Sequence, residues 1–252
     1  MNLTNKTILI TGSSSGLGHA IALELGRRGN KIIATARRAE RLRALAREIQ
    51  TSGGQCVVVP ADSIDTAAVE RVLRVGIEAF GPIDMALLNA GGGLATNLLT
   101  THAAEALRQM RINYDTMANY LCPLIQHMKV RGGTIAYTSS PAGSFPVPLS
   151  GPYGAAKAAG AHLFEAARLD TSGTPIQFVA LYPGFTYTDA LDPDDVPLKA
   201  LIISKERAVL EMIWAIEMGK ARHMFPKRIK WLIALGRALP EPIRHTLLRW
   251  AS

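Results

Sequence analysis

Cysteine is almost absent from this 252-residue chain, with only Cys56 and Cys122 present. Two thiols in a chain this long make no disulfide framework, and their scarcity fits a reducing compartment such as the cytoplasm. The opening segment, residues 1–6, lacks the charged, apolar and cleavage regions of a secretory leader and runs straight into a strand-like stretch. No uninterrupted apolar run reaches membrane-spanning length. Internal repeats, low-complexity linkers and clusters of His, Cys and carboxylates at metal-binding spacing are also missing. Charged residues make up 19% of the chain and apolar residues 48%. That excludes a disordered polymer and supplies one large core. An α/β chain of this length fits in a single domain.

The net charge of +8 is unevenly spread. Residues 220–252 hold eight Lys/Arg and one acid, so this end carries +7 and the preceding 219 residues only +1. The basic character belongs to a tail. Aromatic residues are not interleaved with it along a groove-forming element, which argues against nucleic acid as a partner.

Short apolar runs alternate with longer helical patterns. Strands are expected at residues 7–10, 31–35, 56–59, 83–88, 134–138 and 176–181, and helices at 16–28, 39–50, 66–80 and 153–169, with one long helix within 101–128. Continuous apolar strands are those buried on both faces. The alternation predicts a doubly wound parallel sheet with right-handed crossovers and helices on both sides. Functional groups should then follow the carboxyl ends of the strands.

After the first expected strand come Thr11, Gly12, Ser13, Ser14, Ser15, Gly16, Leu17 and Gly18, opening a helix. Glycines here permit a tight turn and close approach of a pyrophosphate, which unpaired helix N–H groups attract. A site preferring NAD places an acid after the second strand, for the ribose 2′-hydroxyl. No acid stands there: the segment reads Thr35, Ala36, Arg37, Arg38. A guanidinium fork suits a 2′-phosphate, with Arg37 as the first contact; the alternative is that both arginines start a solvated helix. Asp62 either accepts from an adenine amino group or caps the helix from Ile64 onward. Asn89, Ala90 and Gly91, followed by Gly92 and Gly93, either let the chain pass close to a cofactor or form a plain flexible loop.

Tyr153 and Lys157 are four residues apart in an expected helix and share a face. A phenol titrates near pH 10, and a neighbouring ammonium lowers that value toward one useful for proton transfer. Ser140 ends the fifth strand, where it can hydrogen-bond a substrate carbonyl. The alternative is a surface tyrosine beside a solvated lysine.

Together the Gly-rich turn, Asn89-Ala90-Gly91, Asn113, Ser140, the Tyr153/Lys157 pair and Pro183-Gly184-Phe185-Thr186-Tyr187-Thr188 resemble the ordered signature of the short-chain dehydrogenases/reductases, over residues 5 to about 225. The resemblance implies a Rossmann-type fold with a seventh strand at 223–225. It also implies hydride transfer between a nicotinamide cofactor and a carbonyl/alcohol pair, with Tyr153 as acid in reduction and base in oxidation. It assigns Lys157 to the nicotinamide ribose and to lowering the Tyr153 pKa, and Ser140 to polarising the reacting oxygen. Asn113 would hold a water linking Lys157 to solvent. Pro183, Gly184, Thr186 and Thr188 fall in the cofactor-binding loop, with Thr188 on the carboxamide. The basic residue at Arg37 is similar to the branch using NADP(H). A homodimer or homotetramer is implied. Gly92-Gly93 after Gly91, Pro141 after Ser140 and Gly151-Pro152 before Tyr153 depart from the commonest pattern, so substrate analogy is not carried over. Reduction of an imine or enone, and a non-catalytic cofactor sensor or scaffold, are the alternatives.

Expected boundaries are a catalytic domain at 1–226, its cofactor half at roughly 1–130 and its substrate half at roughly 131–226, with a basic extension at 227–252. A substrate lid is expected within 186–203. Its acids Asp189, Asp192, Asp194 and Asp195 either disfavour anionic substrates or are simply solvated. Leu191, Val196, Leu198, Leu201 and Ile202 point to an apolar carbonyl or alcohol substrate. The tail mixes Lys/Arg with apolar residues, and Pro240 and Pro242 divide it into two short helices. Its apolar side either packs on the domain or a second subunit, or lies on an anionic membrane.

Overall fold

The computed structural model describes residues 1–93, 95–187 and 199–250. Seven strands form one parallel sheet: β1 (Thr7–Thr11), β2 (Lys31–Ala36), β3 (Gln55–Pro60), β4 (Met85–Leu88), β5 (Gly133–Thr138), β6 (Ile176–Pro183) and β7 (Arg222–Phe225). Their spatial order is β3-β2-β1-β4-β5-β6-β7. The winding direction reverses between β1 and β4, which pair directly through Ile8–Met85 to Ile10–Leu87. A crevice opens outside the carboxyl ends of the strands at such a reversal.

Strand alternation divides the core between the two faces. Ile8, Ile10, Ile32 and Ala34 point to one side, where they meet Ile21 and Leu25 of α1 (Gly16–Arg27), Leu42, Leu45 and Ile49 of α2 (Ala39–Thr51), and Met212 and Ile216 of α7 (Lys205–Glu217). Leu9 and Ile33 point the other way. There they pack with Val69 and Val72 of α3 (Thr66–Phe80), Tyr120 and Leu124 of α5 (Thr116–Met128), and Phe164 of α6 (Gly151–Asp170). The sheet is covered on both sides, which is why its strands read as unbroken apolar runs.

Three elements differ from the expected ones. β4 starts at Met85, because the backbone of Ile83 is taken by side chains: its N–H donates to His127 Nε2 at 3.1 Å and its carbonyl accepts from Arg131 Nη1 at 2.7 Å. The long helix is divided into α4 (Ala103–Met110), a wide π-helical turn (Arg111–Asp115) and α5. α7 has no counterpart among the expected elements, although Ser204 caps it by accepting from the Arg207 N–H at 3.2 Å. The tail forms α8 (Lys227–Ala238) and α9 (Glu241–Trp250), divided where the two prolines stand. No helix of the described residues is long and apolar enough to cross a membrane.

Candidate active site

The β1–α1 turn lies against the β4 loop. Gly12 holds a left-handed φ of +69°, and a Cβ there would stand 2.9 Å from the Ala90 Cα. A Cβ on Gly18 would stand 2.4 Å from the Gly12 carbonyl oxygen and 2.6 Å from Asn89 Nδ2. Thr11 joins the two loops. Its hydroxyl accepts from the N–H groups of Asn89 and Ala90, both at 2.9 Å, and donates to the Leu87 carbonyl at 3.4 Å. The turn is held at β2 by Ser13, whose N–H and hydroxyl both donate to the Thr35 carbonyl at 3.2 Å. Thr11 and Ser13 belonged to the motif in sequence, but nothing there marked them as the bonds that fix it.

α1 begins at Gly16 without a capping bond from the Ser15 side chain, so that side chain leaves the helix's first N–H groups unsatisfied. The Ser15 hydroxyl instead accepts from Arg38 Nη2 at 2.6 Å, and the Ser14 hydroxyl accepts from Arg38 Nη2 at 2.8 Å and Nε at 3.1 Å. Arg38 thus lies on the turn, while Arg37 is exposed beside it. A glycine cradle that any Cβ would fill, an N-terminus left open by its own cap residue, and a guanidinium at its edge suit the phosphates of a dinucleotide. Asp62 accepts from the Ile64 N–H at 3.2 Å, closing a turn. The cap of α3 itself is Asp65, which accepts from the N–H groups of Ala67 and Ala68.

Four side chains meet where β4, β5 and the π-helical turn come together. The π-helical turn carries Asn113, which is fully buried. Wide helical turns of this kind re-aim side chains at functional sites. Asn113 Oδ1 accepts from the Gly92 N–H at 3.0 Å, and its Nδ2 donates to the Gly92 carbonyl at 2.9 Å. Nδ2 also reaches Gln109 Oε1 at 3.1 Å. Gln109 is itself fully buried, and its Nε2 donates to Glu105 Oε1 at 2.9 Å. Sequence reasoning missed Gln109, yet its position four residues before Asn113 on one helix face was a readable signal.

Lys157 is buried and donates to the Thr138 carbonyl at 2.9 Å. Its Nζ lies 5.4 Å from the Tyr137 ring centroid and 5.9 Å from that of Tyr153. A Cβ on Gly91 would stand 2.6 Å from Asn113 Oδ1 and 3.2 Å from Lys157 Nζ, and one on Gly93 would stand 2.6 Å from the Tyr153 ring. Gly91 and Gly93 therefore make room for the cluster, which a merely flexible loop does not explain. Ser140 opens a single 3-10 turn at Pro141–Gly143, its hydroxyl accepting from the Ala142 N–H at 3.2 Å. That turn lies on α6, where a Cβ on Gly143 would stand 2.8 Å from the Lys157 carbonyl carbon. Pro152 occupies the first turn of α6, where its missing N–H costs nothing.

Burial is the largest influence on both titrating groups, and it disfavours the charged form of each. It lowers the Lys157 ammonium to about 8. It raises the Tyr153 phenol, and a hydrogen bond with Ser140 acts in the opposite direction. The lowering of the Tyr153 pKa expected from Lys157 is thus not what dominates here; desolvation does. Pro183 ends β6, and the Gly184 N–H donates to the Phe225 carbonyl at 2.8 Å. Thr186 is buried and donates to the Gly184 carbonyl at 3.2 Å. Thr188 and the acids of the expected lid lie outside the described residues.

A phenol, an ammonium, a hydroxyl and a carboxamide gathered beside a dinucleotide cradle, at the switch point of a parallel sheet, define an oxidoreductase of the Rossmann type. A family model described as short chain dehydrogenase matches residues 6–195, and the chain belongs to the short-chain dehydrogenase/reductase family. It is 30% identical to an 11-beta-hydroxysteroid dehydrogenase-like 2 protein from Arabidopsis thaliana, over 98% of this chain and 82% of that one. It is 31% identical to an uncharacterized oxidoreductase of Myxococcus xanthus, over 96% and 95%. A glycine betaine reductase of Emericella nidulans is 33% identical, but over only 15% of its own length and 75% of this chain. Among solved structures, an alcohol dehydrogenase of Thermococcus sibiricus complexed with 5-hydroxy-NADP superposes with a TM-score of 0.78 at 23% identity, covering 86% of this chain and 94% of that one. A dehydrogenase/reductase of Sinorhizobium meliloti gives 0.80 at 28% identity, covering 88% and 94%.

Proposed function

We propose that this oxidoreductase uses NADP(H) to reduce a carbonyl compound, or to oxidise the matching alcohol, with Tyr153 as the acid/base group. The observation that carries the reading is the convergence of Tyr153 and Lys157 from α6, Ser140 from the turn after β5 and Asn113 from the π-helical turn, beside Gly91 and Gly93. When bound, the cofactor supplies or accepts a hydride. Gly12, Gly16, Leu17 and Gly18 receive its pyrophosphate at the α1 N-terminus, and Asn89 and Ala90 border the ribose. Arg38 and Arg37 take the 2′-phosphate, with Arg38 leading because its guanidinium is already on the turn. Asp62 stands at the adenine end.

In reduction, Tyr153 Oη donates its proton to the developing alkoxide. A phenol whose pKa is raised by burial stays protonated at neutral pH, which suits that step. Ser140 donates to the same oxygen and polarises it. Lys157 binds the ribose hydroxyls, and Asn113, whose Oδ1 keeps a second lone pair, holds a water between Lys157 and solvent. Leu201 and Ile202, apolar residues of the segment expected as a lid, favour an apolar carbonyl substrate, and the active form is a homodimer or homotetramer.

NADPH consumption against a panel of alkyl and aromatic aldehydes and ketones tests the reading. Tyr153→Phe should lower kcat about 10²- to 10⁴-fold while NADPH still binds. Near-full turnover in Tyr153→Phe would remove Tyr153 from the chemistry.

A further inference from the structure

We infer that the outward face of α8 docks on an anionic membrane surface. One side of α8 is already used. Ile229 is 6% exposed, and its Cδ1 lies 2.1 Å from where a Cβ on Gly184 would stand. Gly236 leaves room for the Phe145 ring, 2.9 Å from where its Cβ would be, and Arg237 donates to the Ser144 carbonyl. These contacts fix α8 on the loops that follow β5 and β6.

The other side is apolar and uncovered. Trp231 is 73% exposed, Leu235 59% and Leu232 47%, and with Leu201 and Arg228 they line a shallow depression. Trp231 and Leu235 are one turn apart and share a face with Lys227 and Arg228. Lys227, Arg228 and Lys230 are exposed in the first turn, which holds no acid. Three cations at the positive end of a helix dipole oppose the helix, so folding alone does not account for them. An external anionic surface does. The same charge argues against a second copy as occupant, because a symmetric contact would place these cations against their own kind, within a tail of net charge +7. A tryptophan and leucines rimmed by Lys/Arg match the boundary between headgroups and acyl chains of an acidic bilayer. The inference does not depend on the dehydrogenase reading.

Co-sedimentation of the full chain with vesicles tests it, using phosphatidylcholine with and without phosphatidylserine. The protein should pellet with phosphatidylserine vesicles at low salt. Binding should weaken at least about tenfold near 0.5 M salt, and by a similar factor in Lys227→Glu/Arg228→Glu/Lys230→Glu. Trp231→Gln/Leu235→Gln should also lose binding while keeping the wild-type melting temperature, since these side chains lie outside the core. Protein that stays in the supernatant with phosphatidylserine at low salt overturns the inference. So does unchanged binding by the Trp231/Leu235 variant, or gel filtration showing that this variant splits a wild-type dimer, which would make the face a subunit contact.

Discussion

Lys157 has little access to water, and its ammonium donates to the backbone carbonyl of Thr138 at 2.9 Å. Burial brings its pKa to about 8, against 10.5 for a free lysine. Between those values the unfolded chain holds a proton that the folded one has released, so Lys157 makes stability rise with pH across that window, by on the order of 3 kcal/mol at its upper end. Tyr153 acts oppositely above about pH 10, where its raised pKa keeps a proton that the unfolded chain loses. For binding, the charged lysine is the useful form. NADPH affinity should therefore fall as pH rises through about 8, and Lys157→Met should bind weakly without that dependence; fluorescence titration between pH 7 and 9.5 reads both. Gln109 offers a second test. Replacing it by Leu removes one acceptor of Asn113 Nδ2, which keeps the Gly92 and residue-109 carbonyls, and one donor to Glu105, which keeps Arg108, so the loss is of two hydrogen bonds and of the side-chain brace on Asn113. Gln109→Leu should melt earlier and lose kcat more than KM, whereas an unchanged kcat would confine Gln109 to a structural role. That Tyr153, Lys157 and Asn113 would lie together was legible in sequence, from the one-turn spacing of the first two and the ordered motifs around them. The bonds of Thr11 were not, because they depend on how two loops face each other, whereas Gln109 could be read from its four-residue spacing to Asn113. Arg37 was expected to lead from its place after the second strand and from the family resemblance, and the Arg38 side chain is the one that turns back over Ser14 and Ser15.

At the scale of elements, the Gly-rich turn is the most demanding piece, because two loops pass within van der Waals contact there. Gly18→Ala would force a methyl to within 2.4 Å of the Gly12 carbonyl oxygen. It should abolish measurable NADPH binding and lower the melting temperature together; a variant that binds normally would show that the turn can yield. Strands β1, β2, β3, β5 and β6 were legible as apolar runs bounded by turn residues. β4 was overextended because Ile83 is apolar and buried like a strand residue, while its backbone bonds go to His127 and Arg131. The π-helical turn left no trace in the apolar pattern, since one extra residue per turn shifts the phase by less than the width of an amphipathic face. α7 had a readable cap in Ser204 and a buried stripe of Val209, Met212, Ile213 and Ile216.

Across the whole molecule, the reversal of strand order between β1 and β4 explains why residues scattered from Gly12 to Lys157 meet in one crevice. Sequence alternation anticipated the parallel sheet, but not which edge each strand joins; that follows from the hydrogen-bonded register. The basic tail divides in two at its first helix: Ile229 and Gly236 join the domain, and Trp231, Leu232 and Leu235 do not. Both arginines after β2 face solvent beside the cofactor cradle, so discrimination between the two nicotinamide cofactors should rest on them. Charge-assisted bonds to a 2′-phosphate amount to about 1.5–3 kcal/mol, or roughly tenfold to a hundredfold in affinity. Equilibrium binding of NADPH and NADH, followed by nicotinamide fluorescence in one buffer, tests this most directly. NADPH should bind at least about tenfold more tightly than NADH, and Arg37→Ala/Arg38→Ala should erase the difference by weakening NADPH alone. Equal or tighter binding of NADH would contradict the arginine assignment, and failure to bind either cofactor would contradict the proposed reaction itself.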